Sequence, residues 1–99
     1  MSSVYKALAD PTRRRILQLL REKEMSAGEI ADHFDLAKPT LSGHFAVLRA
    51  ADLVATEKHG TTVTYRLNVS VLEEALVALM DGFGLLKKGA SPVQRKTTS

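Results

Sequence analysis

The chain has 99 residues, 44% of them hydrophobic and 25% charged, with a formal net charge of +3 at pH 7. This length and ordinary composition predict one soluble globular domain, exclude fibrous and fully disordered classes, and leave about a third of the unfolded surface exposed after folding. The absence of cysteine excludes disulfides and thiolate chemistry, and because there is neither a run of roughly 20 apolar residues nor a secretory signal, we expect a cytoplasmic protein without membrane contact.

Two helices are predicted at the start of the chain. An apolar stripe over residues 4–8 ends at Asp10-Pro11, where the aspartate can cap and the proline can open the next helix. Apolar residues then recur at helical spacing, so this second helix is expected to run to about Glu22 and to face the core.

Two more helices follow in the middle of the chain. Ser26 and Glu29 form a capping box that predicts a short third helix, and Lys38-Pro39 opens a fourth that runs to about residue 50. The fourth helix has an apolar face, made of Leu41, Phe45 and Leu48. Its opposite face carries small side chains, namely Thr40, Ser42, Gly43, Ala46 and Val47. A face of small residues suits close approach to another surface, either DNA or protein.

After Asp52 the hydrophobic period changes from that of a helix to that of a strand. Two alternating, β-branched runs cover residues 53–58 and 61–67 and surround a turn at His59-Gly60. This pattern predicts a β-hairpin.

The last helix is predicted to begin at a second capping box, formed by Ser70 and Glu73. Its apolar stripe, added to the stripe of the first helix, exceeds what a small helical core needs. We therefore expect a homodimer that uses both end helices. The predicted interface residues are Val4, Tyr5, Leu8, Leu72, Leu76, Leu79, Met80 and Phe83.

Positive charge is concentrated at three places along the chain. The three clusters are Arg13, Arg14 and Arg15; Lys58, His59 and Arg66; and Lys87, Lys88, Arg95 and Lys96. Such clusters are typical of solvated faces as well as of surfaces that bind polyanions. The predicted domain covers residues 1–86, and residues 87–99, rich in Gly, Ser, Pro, Thr and basic residues, are expected to form a disordered basic tail.

The order of these elements predicts a winged helix-turn-helix fold, mainly α with a small β-hairpin (an α+β class). In such a fold the second helix of the helix-turn-helix pair lies in the major groove of DNA. Winged domains also serve as protein-interaction modules that bind no DNA. The predicted basic tip of the hairpin, with Lys58, His59 and Arg66 beside the turn, favours DNA, because such a tip can enter or straddle a minor groove.

Three segments resemble the ArsR family of bacterial transcriptional repressors. KALADPTRRRILQLL resembles the opening helices of that family, LAKPTLSGHFAVLRAADLV its recognition helix, and GTTVTYRLN its second wing strand. The resemblance covers roughly residues 4–84, and ADPTRR, MSAGEIADHF and AKPTLSGHFAVL look most like the SdpR-type branch. It implies a homodimer that represses by occupying double-stranded operator DNA, which we expect to be an inverted repeat, and, in the SdpR-like case, an inhibitory protein partner that removes the repressor.

The resemblance also implies which residues meet DNA. On the recognition helix these are Lys38, Thr40, Ser42, Gly43 and His44, and on the wing Lys58, His59, Gly60, Thr61, Thr62 and Arg66. Two positions depart from the family pattern: Gly43 stands where a longer side chain is frequent, and Ala37 replaces a serine cap, at a cost of about 1 kcal/mol. Family members sense metals through cysteines on the third helix or Asp and His pairs on the last. This sequence has neither, so no metal site and no cofactor are expected.

The residues leave three alternatives open. His44 lies near the apolar face of its helix and can be a packed residue instead of a DNA contact. Arg14 can serve DNA, or can pair with Asp10 or with an acid of a partner helix. The whole domain can be a protein-interaction module. An enzyme is not expected, because the histidines and acids lie on elements that converge on no evident pocket.

Overall fold

The computed structural model describes residues 2–86, so the predicted tail at 87–99 lies outside the described residues. Five helices and three strands follow one another in this part of the chain. They are α1 (Ser2–Leu8), α2 (Pro11–Glu22), β1 (Met25–Ser26), α3 (Ala27–Ala31), α4 (Lys38–Ala50), β2 (Val54–His59), β3 (Thr62–Leu67) and α5 (Val69–Gly82). The predicted mainly helical class with a small β-hairpin is confirmed, and the hairpin belongs to a three-stranded antiparallel sheet. Within residues 2–86 no helix is both long and apolar enough to cross a membrane.

The starts of α2 and α3 are capped as the sequence predicts. Asp10 caps α2 by accepting a hydrogen bond from the backbone N–H of Arg13 at 3.0 Å. At α3 the Ser26 hydroxyl accepts from the Glu29 N–H at 3.1 Å, while the Ser26 N–H donates to the Glu29 carboxylate at 2.8 Å. That second bond is the main cause that lowers the pKa of Glu29 below its ordinary value. Each cap satisfies N–H groups that a helix start otherwise leaves without a partner.

The sheet contains a strand that the sequence did not reveal. Met25 and Ser26 pair with Tyr65 and Thr64, so the order is β1-β3-β2 and the wing is the extension of a three-stranded sheet. Two residues are too few for an alternating pattern to show. The added strand ties the helix-turn-helix segment to the wing.

The core lies between the apolar faces of the helices and the inner end of the sheet. Its largest fully buried side chains are Ile16, Ile30, Leu48 and Leu53. On α4, Phe45 stacks on Tyr65 of β3 with ring centroids 4.7 Å apart, an arrangement that adds roughly 1 kcal/mol to the burial of both rings. This contact fixes the orientation of α4 on the sheet.

A tight turn joins α4 to the wing. Asp52 adopts a positive φ of 59°, the Asp52 N–H donates to the Arg49 carbonyl, and the Leu53 N–H donates to the Leu48 carbonyl. This pattern is a Schellman motif with aspartate at the position that glycine usually takes. The Asn68 side-chain amide donates to the Asp52 carbonyl at 2.9 Å, so this turn is tied to the end of β3 at the base of the wing.

The second predicted capping box is wrong. Helix α5 begins at Val69, with Asn68 at the N-cap position and no side-chain cap. Ser70 and Glu73 therefore both lie inside the helix. Asn68 uses its amide on Asp52 instead of capping α5, a long-range contact that the local pattern does not show.

Candidate nucleic-acid interface

The outer face of α4 is open to solvent. Lys38, Thr40, Ser42 and Gly43 are all exposed, while Leu41, Phe45 and Leu48 are buried on the opposite face. A Cβ atom added at Gly43 would meet nothing within 4 Å, so packing inside the protomer does not require glycine there. Ala37 supplies no side-chain cap to α4, as the sequence indicates. The result is a flat, weakly charged helix surface that another molecule can approach closely.

His44 occupies a different environment from the other recognition-helix candidates. Its side chain is only 16% exposed, and its Nδ1 lies 4.0 Å from the Asp10 carboxylate and 3.1 Å from a guanidinium nitrogen of Arg13. The ring therefore packs against the start of α2. This placement favours the packed alternative for His44 over a base contact.

The first two arginines of the basic cluster on α2 are engaged within the protomer. Arg13 donates to the carbonyls of Ala7 and Lys6 at 2.9 and 3.0 Å, and Arg14 donates to the carbonyl of Leu8 at 2.9 Å. These carbonyls end α1, where a helix lacks internal donors and where cations are favourable. Within the described protomer Arg14 therefore bonds to the end of α1 and not to Asp10, and its pairing with an acid of a partner helix stays a prediction.

Asp10 completes this junction. The backbone N–H of Arg13 is the largest cause that holds the pKa of Asp10 below its ordinary value, and the positive charge of Arg13 acts in the same direction. Burial opposes them by raising the pKa. The carboxylate is therefore ionised at neutral pH and accepts the hydrogen bond that starts α2.

The wing is a regular hairpin with an exposed tip. His59 pairs with Thr62 across a turn in which Gly60 has a φ of 63°, a left-handed conformation that glycine adopts without strain. All six predicted wing residues are exposed: Lys58, His59, Gly60, Thr61, Thr62 and Arg66. His59 Nε2 lies 3.8 Å from the carboxylate of Glu57, an acid that the prediction of a basic tip left out.

The predicted cluster of Lys58, His59 and Arg66 beside the turn is wrong for Arg66. The register pairs Arg66 with Ala55 near the base of the hairpin, whereas Lys58 pairs with Val63 next to the tip. At about 3.3 Å per residue, Arg66 lies roughly 13 Å from the pair that closes the turn. Because side chains alternate between faces, Lys58 and Arg66 also lie on opposite faces of the wing.

A second surface, made of apolar residues, lies on α5. Leu76, Leu79, Met80 and Phe83 are 43%, 39%, 39% and 73% exposed. An open groove of about 420 Å³ adjoins this stripe between α2, the end of β3 and α5, with Leu8, Leu17, Leu67, Leu72 and Leu76 among its lining residues. Of the predicted interface residues, Tyr5, Leu8 and Leu72 are half-buried. Val4 is only 8% exposed and belongs to the protomer core, which leaves it little surface for a second copy.

In the described part of the chain, no three His, Cys, Asp or Glu side chains come together in a way that could hold a metal ion. The acids of α5, Glu73, Glu74 and Asp81, line a shallow surface hollow with Ser70 and Val77.

Comparison with known proteins identifies this architecture. Residues 8–57 match the family described as a helix-turn-helix domain. The transcriptional repressor SdpR of Bacillus subtilis is 42% identical over 76 residues, which are 77% of this chain and 84% of that repressor.

Solved structures agree with the sequence comparison. The crystal structure of a possible transcriptional regulator for arsenical resistance is 40% identical, with a TM-score of 0.70 over 79% of this chain and 80% of the other. An ArsR family transcriptional regulator superposes with a TM-score of 0.76 at 28% identity, over 85% and 92% of the two chains. The predicted winged helix-turn-helix class is confirmed, and the chain belongs to the ArsR family of DNA-binding transcriptional regulators, which are not enzymes.

Proposed function

We propose that two copies of this chain occupy an operator with an inverted repeat and repress transcription, with α4 in the major groove and the wing against the backbone beside it. The observation that carries this proposal is the outer face of α4, where Thr40 and Ser42 are exposed and Gly43 leaves the surface flat. Short hydroxyl side chains on such a face can reach base edges when the helix enters the groove. Thr40 and Ser42 are therefore our candidates for base recognition.

The remaining candidates are assigned to phosphate. Lys58, Thr61 and Thr62 lie at or next to the tip of the wing, and Lys38 lies in the first turn of α4. Lysine and hydroxyl side chains in such positions orient a protein on the duplex without reading sequence. Arg66 is a second, separate phosphate candidate, because it lies at the base of the wing on the opposite face.

The apolar stripe of α5 supports an antiparallel pairing of two copies. Leu76 and Leu79 are equally far from the midpoint of the stripe, between Val77 and Ala78, and so are Leu72 and Phe83. A two-fold axis at that midpoint therefore brings Leu76 against Leu79 of the partner subunit and Leu72 against Phe83 of the partner subunit. An interface built on a two-fold axis has to be self-complementary in this way.

The groove beside the stripe fits this arrangement. Leu72 and Leu76 line it, and Phe83, 73% exposed, is the side chain that the pairing delivers to it from the second copy. Burying an aromatic side chain of this size is worth roughly 2–3 kcal/mol. The two-fold dimer then presents two α4 helices, and their half-sites are expected about 34 Å apart or at a multiple of that spacing.

Single cysteines test the pairing directly, since the natural chain has none. At 1.5 Å per residue, two Leu79→Cys residues lie about 4–5 Å apart along the helix axes, and two Phe83→Cys residues about 16 Å apart. Leu79→Cys should therefore form a disulfide-linked dimer by itself. Phe83→Cys should do so only when mixed with Leu72→Cys. Rapid self-crosslinking of Phe83→Cys would show a parallel pairing and contradict this arrangement while leaving dimerisation intact.

The proposal as a whole is tested by selection of duplexes from a random pool, followed by binding measurements at several salt concentrations. We expect enrichment of an inverted repeat and an affinity for it that exceeds non-specific affinity by about a thousandfold or more. No enrichment, with no shift of any duplex, would support a protein-interaction module. A protein partner that removes the repressor stays a prediction from the resemblance to the SdpR-type branch.

A further inference from the structure

One side chain of α2 joins the end of α1 to the reading helix α4. The guanidinium of Arg13 donates through Nε to the Ala7 carbonyl at 2.9 Å and through Nη2 to the Lys6 carbonyl at 3.0 Å. Its third nitrogen, Nη1, lies 3.1 Å from Nδ1 of His44. One planar group therefore contacts two elements, α1 and α4, and links both of them to its own helix α2.

The chemistry of this contact fixes the form of His44. A guanidinium has only donors and stays protonated in proteins. Nδ1 of His44 must then be the acceptor, so the ring that takes part is the neutral tautomer with its proton on Nε2. Asp10 holds the backbone N–H of Arg13 at 3.0 Å and so keeps the start of α2, from which the Arg13 side chain extends, in place.

We propose that Arg13 is a positioning residue that couples α1, part of the proposed dimer surface, to the DNA-reading helix α4 through His44. This inference rests on the proposed function, which assigns DNA reading to α4, and on the predicted place of α1 in the dimer surface, where Leu8 lines the groove beside the α5 stripe. When α1 is fixed by the second copy, the Arg13 contacts set where α4 lies relative to the two-fold axis. The spacing and angle of the two reading helices then depend on a residue that need not touch DNA.

The shape of the guanidinium matters for this role, in addition to its charge. Lysine presents a single ammonium on a flexible stem and cannot reach two carbonyls of α1 and an imidazole on α4 in a fixed planar arrangement. Arg13→Lys should therefore behave like Arg13→Gln. At position 44, asparagine offers an acceptor oxygen close to the place of Nδ1, whereas leucine offers none.

The test combines DNA binding with a distance measurement on the free dimer. A spin label on Arg49→Cys, an exposed position of α4, reports the distance between the two reading helices, and the duplex recovered by selection and a scrambled duplex report affinity. Arg13→Gln and Arg13→Lys should broaden the distance distribution and weaken binding to the selected duplex about tenfold. The salt slope, which is the change of log affinity with log salt concentration, should stay unchanged on both duplexes. His44→Leu should have the same effects, and His44→Asn should give a distance distribution and an affinity closer to those of the natural protein.

Arg15→Gln is the matched control, since it removes the same charge from the same helix, while the side-chain hydrogen bond of Arg15 within the described residues goes to Gln18 of α2 itself. It should leave the distance distribution narrow. If Arg13→Gln does not unfold cooperatively, His44→Leu carries the test, because it leaves the bonds between Arg13 and α1 in place. If Arg13→Gln weakened operator binding and lowered the salt slope but left the distance distribution unchanged, Arg13 would contact phosphate and the proposal would be overturned. The proposal would also be overturned if neither Arg13→Gln nor His44→Leu had any effect. Failure of the natural protein to dimerise or to bind the selected duplex would instead contradict the proposed function.

Discussion

Helices α4 and α5 have nearly the same length, 13 and 14 residues, but they present opposite surfaces. In α4 the large apolar residues Leu41, Phe45 and Leu48 are buried in the protomer, and small or polar residues remain outside. In α5 only Ala75 is buried and Leu72 is half-buried, whereas Leu76, Leu79, Met80 and Phe83 remain exposed. Burial within one protomer therefore accounts for the apolar pattern of α4 and leaves that of α5 without a partner.

The two exposed surfaces therefore suit different partners. An exposed contiguous apolar face is typical of a protein interface, and an exposed face of short polar residues at the end of a helix-turn-helix is typical of a DNA-reading surface. Neither conclusion could be drawn from amphipathicity alone, because both helices have an apolar stripe in the sequence. Which stripe the protomer covers decides between them.

The largest effect is expected from a charge on the α5 stripe. Leu79→Asp should weaken dimerisation by roughly a hundredfold, or about 3 kcal/mol, because the carboxylate would be buried in the proposed interface without a partner. Sedimentation equilibrium at micromolar concentration should show a dimer for the natural protein and a monomer for the variant. The affinity of the variant for the operator should fall as the dimer is lost.

Val77→Asp is the control for this prediction. Val77 is 50% exposed and lies on α5 away from the stripe of Leu72, Leu76, Leu79 and Phe83, so the same change of chemistry should leave the dimer intact. If Val77→Asp dissociated the dimer and Leu79→Asp did not, the interface would lie on the other face of α5.

A smaller and different effect is expected on the reading helix and the wing. Thr40→Ala and Ser42→Ala should each weaken the selected duplex by roughly 1–3 kcal/mol while leaving scrambled DNA and the salt slope nearly unchanged. Lys58→Ala and Arg66→Ala should weaken both duplexes alike, and each should lower the salt slope by about one if the residue contacts one phosphate.

The two wing variants test different faces of the hairpin. Lys58 and Arg66 lie on opposite faces and at opposite ends of the hairpin, so an effect of only one identifies the face that meets DNA. A change of base preference in the wing variants alone would contradict the assignment of α4 as the reading helix. The measurement is a titration of each variant with both duplexes at several salt concentrations.

Much of this architecture could be predicted because it is encoded locally. The Asp10-Pro11 and Ser26–Glu29 caps and the stripe of α4 depend on residues within one or two helical turns, and the structure confirms them. The order of the predicted elements gave the winged helix-turn-helix class, and the family resemblance added the class of transcriptional repressors. The roles of individual residues in DNA contact and in the dimer stay predictions.

What could not be predicted depends on residues far apart in the chain. Arg13 and His44 are 31 positions apart. No local pattern indicates that the guanidinium of an arginine in a basic run contacts the imidazole of a histidine on another helix. Asn68 occupies the N-cap position of α5, but its side chain bonds to the distant Asp52 carbonyl. The separation of Lys58 from Arg66 follows from strand register, and counting residues back from the turn on each strand would have revealed it.

Gly43 offers a test in which stability and binding change in opposite directions. Because an added Cβ meets nothing within 4 Å, Gly43→Ala should stabilise the protein by about 0.5–1 kcal/mol, the usual advantage of alanine over glycine inside a helix. If α4 lies deep in the groove at this point, the same methyl group should weaken the selected duplex. Urea unfolding measures the change in stability of Gly43→Ala, and duplex titration measures its change in affinity. A variant less stable than the natural protein would contradict the open environment of Gly43.

Helices α2 and α3 each have a carboxylate that accepts a backbone hydrogen bond at the start of the helix, whereas α4 and α5 have no side-chain cap. The pKa values of Asp10 and Glu29 are lowered from ordinary values of 3.8 and 4.5, so the unfolded chain binds more protons than the folded one as acid is added. Their contribution to the free energy of unfolding is complete above those ordinary values and is lost as the pH falls through the lower values of the folded state. Asp10→Asn and Glu29→Gln keep an acceptor oxygen but cannot titrate, so each should flatten the fall in stability between about pH 5 and pH 3.

Urea unfolding at fixed protein concentration measures how steeply stability falls with pH, since the stability of a dimer depends on concentration. Glu74→Gln, which removes an exposed carboxylate of α5 that caps no helix, is the control; an equal flattening there would mean that general charge repulsion, and not the two caps, sets the acid sensitivity.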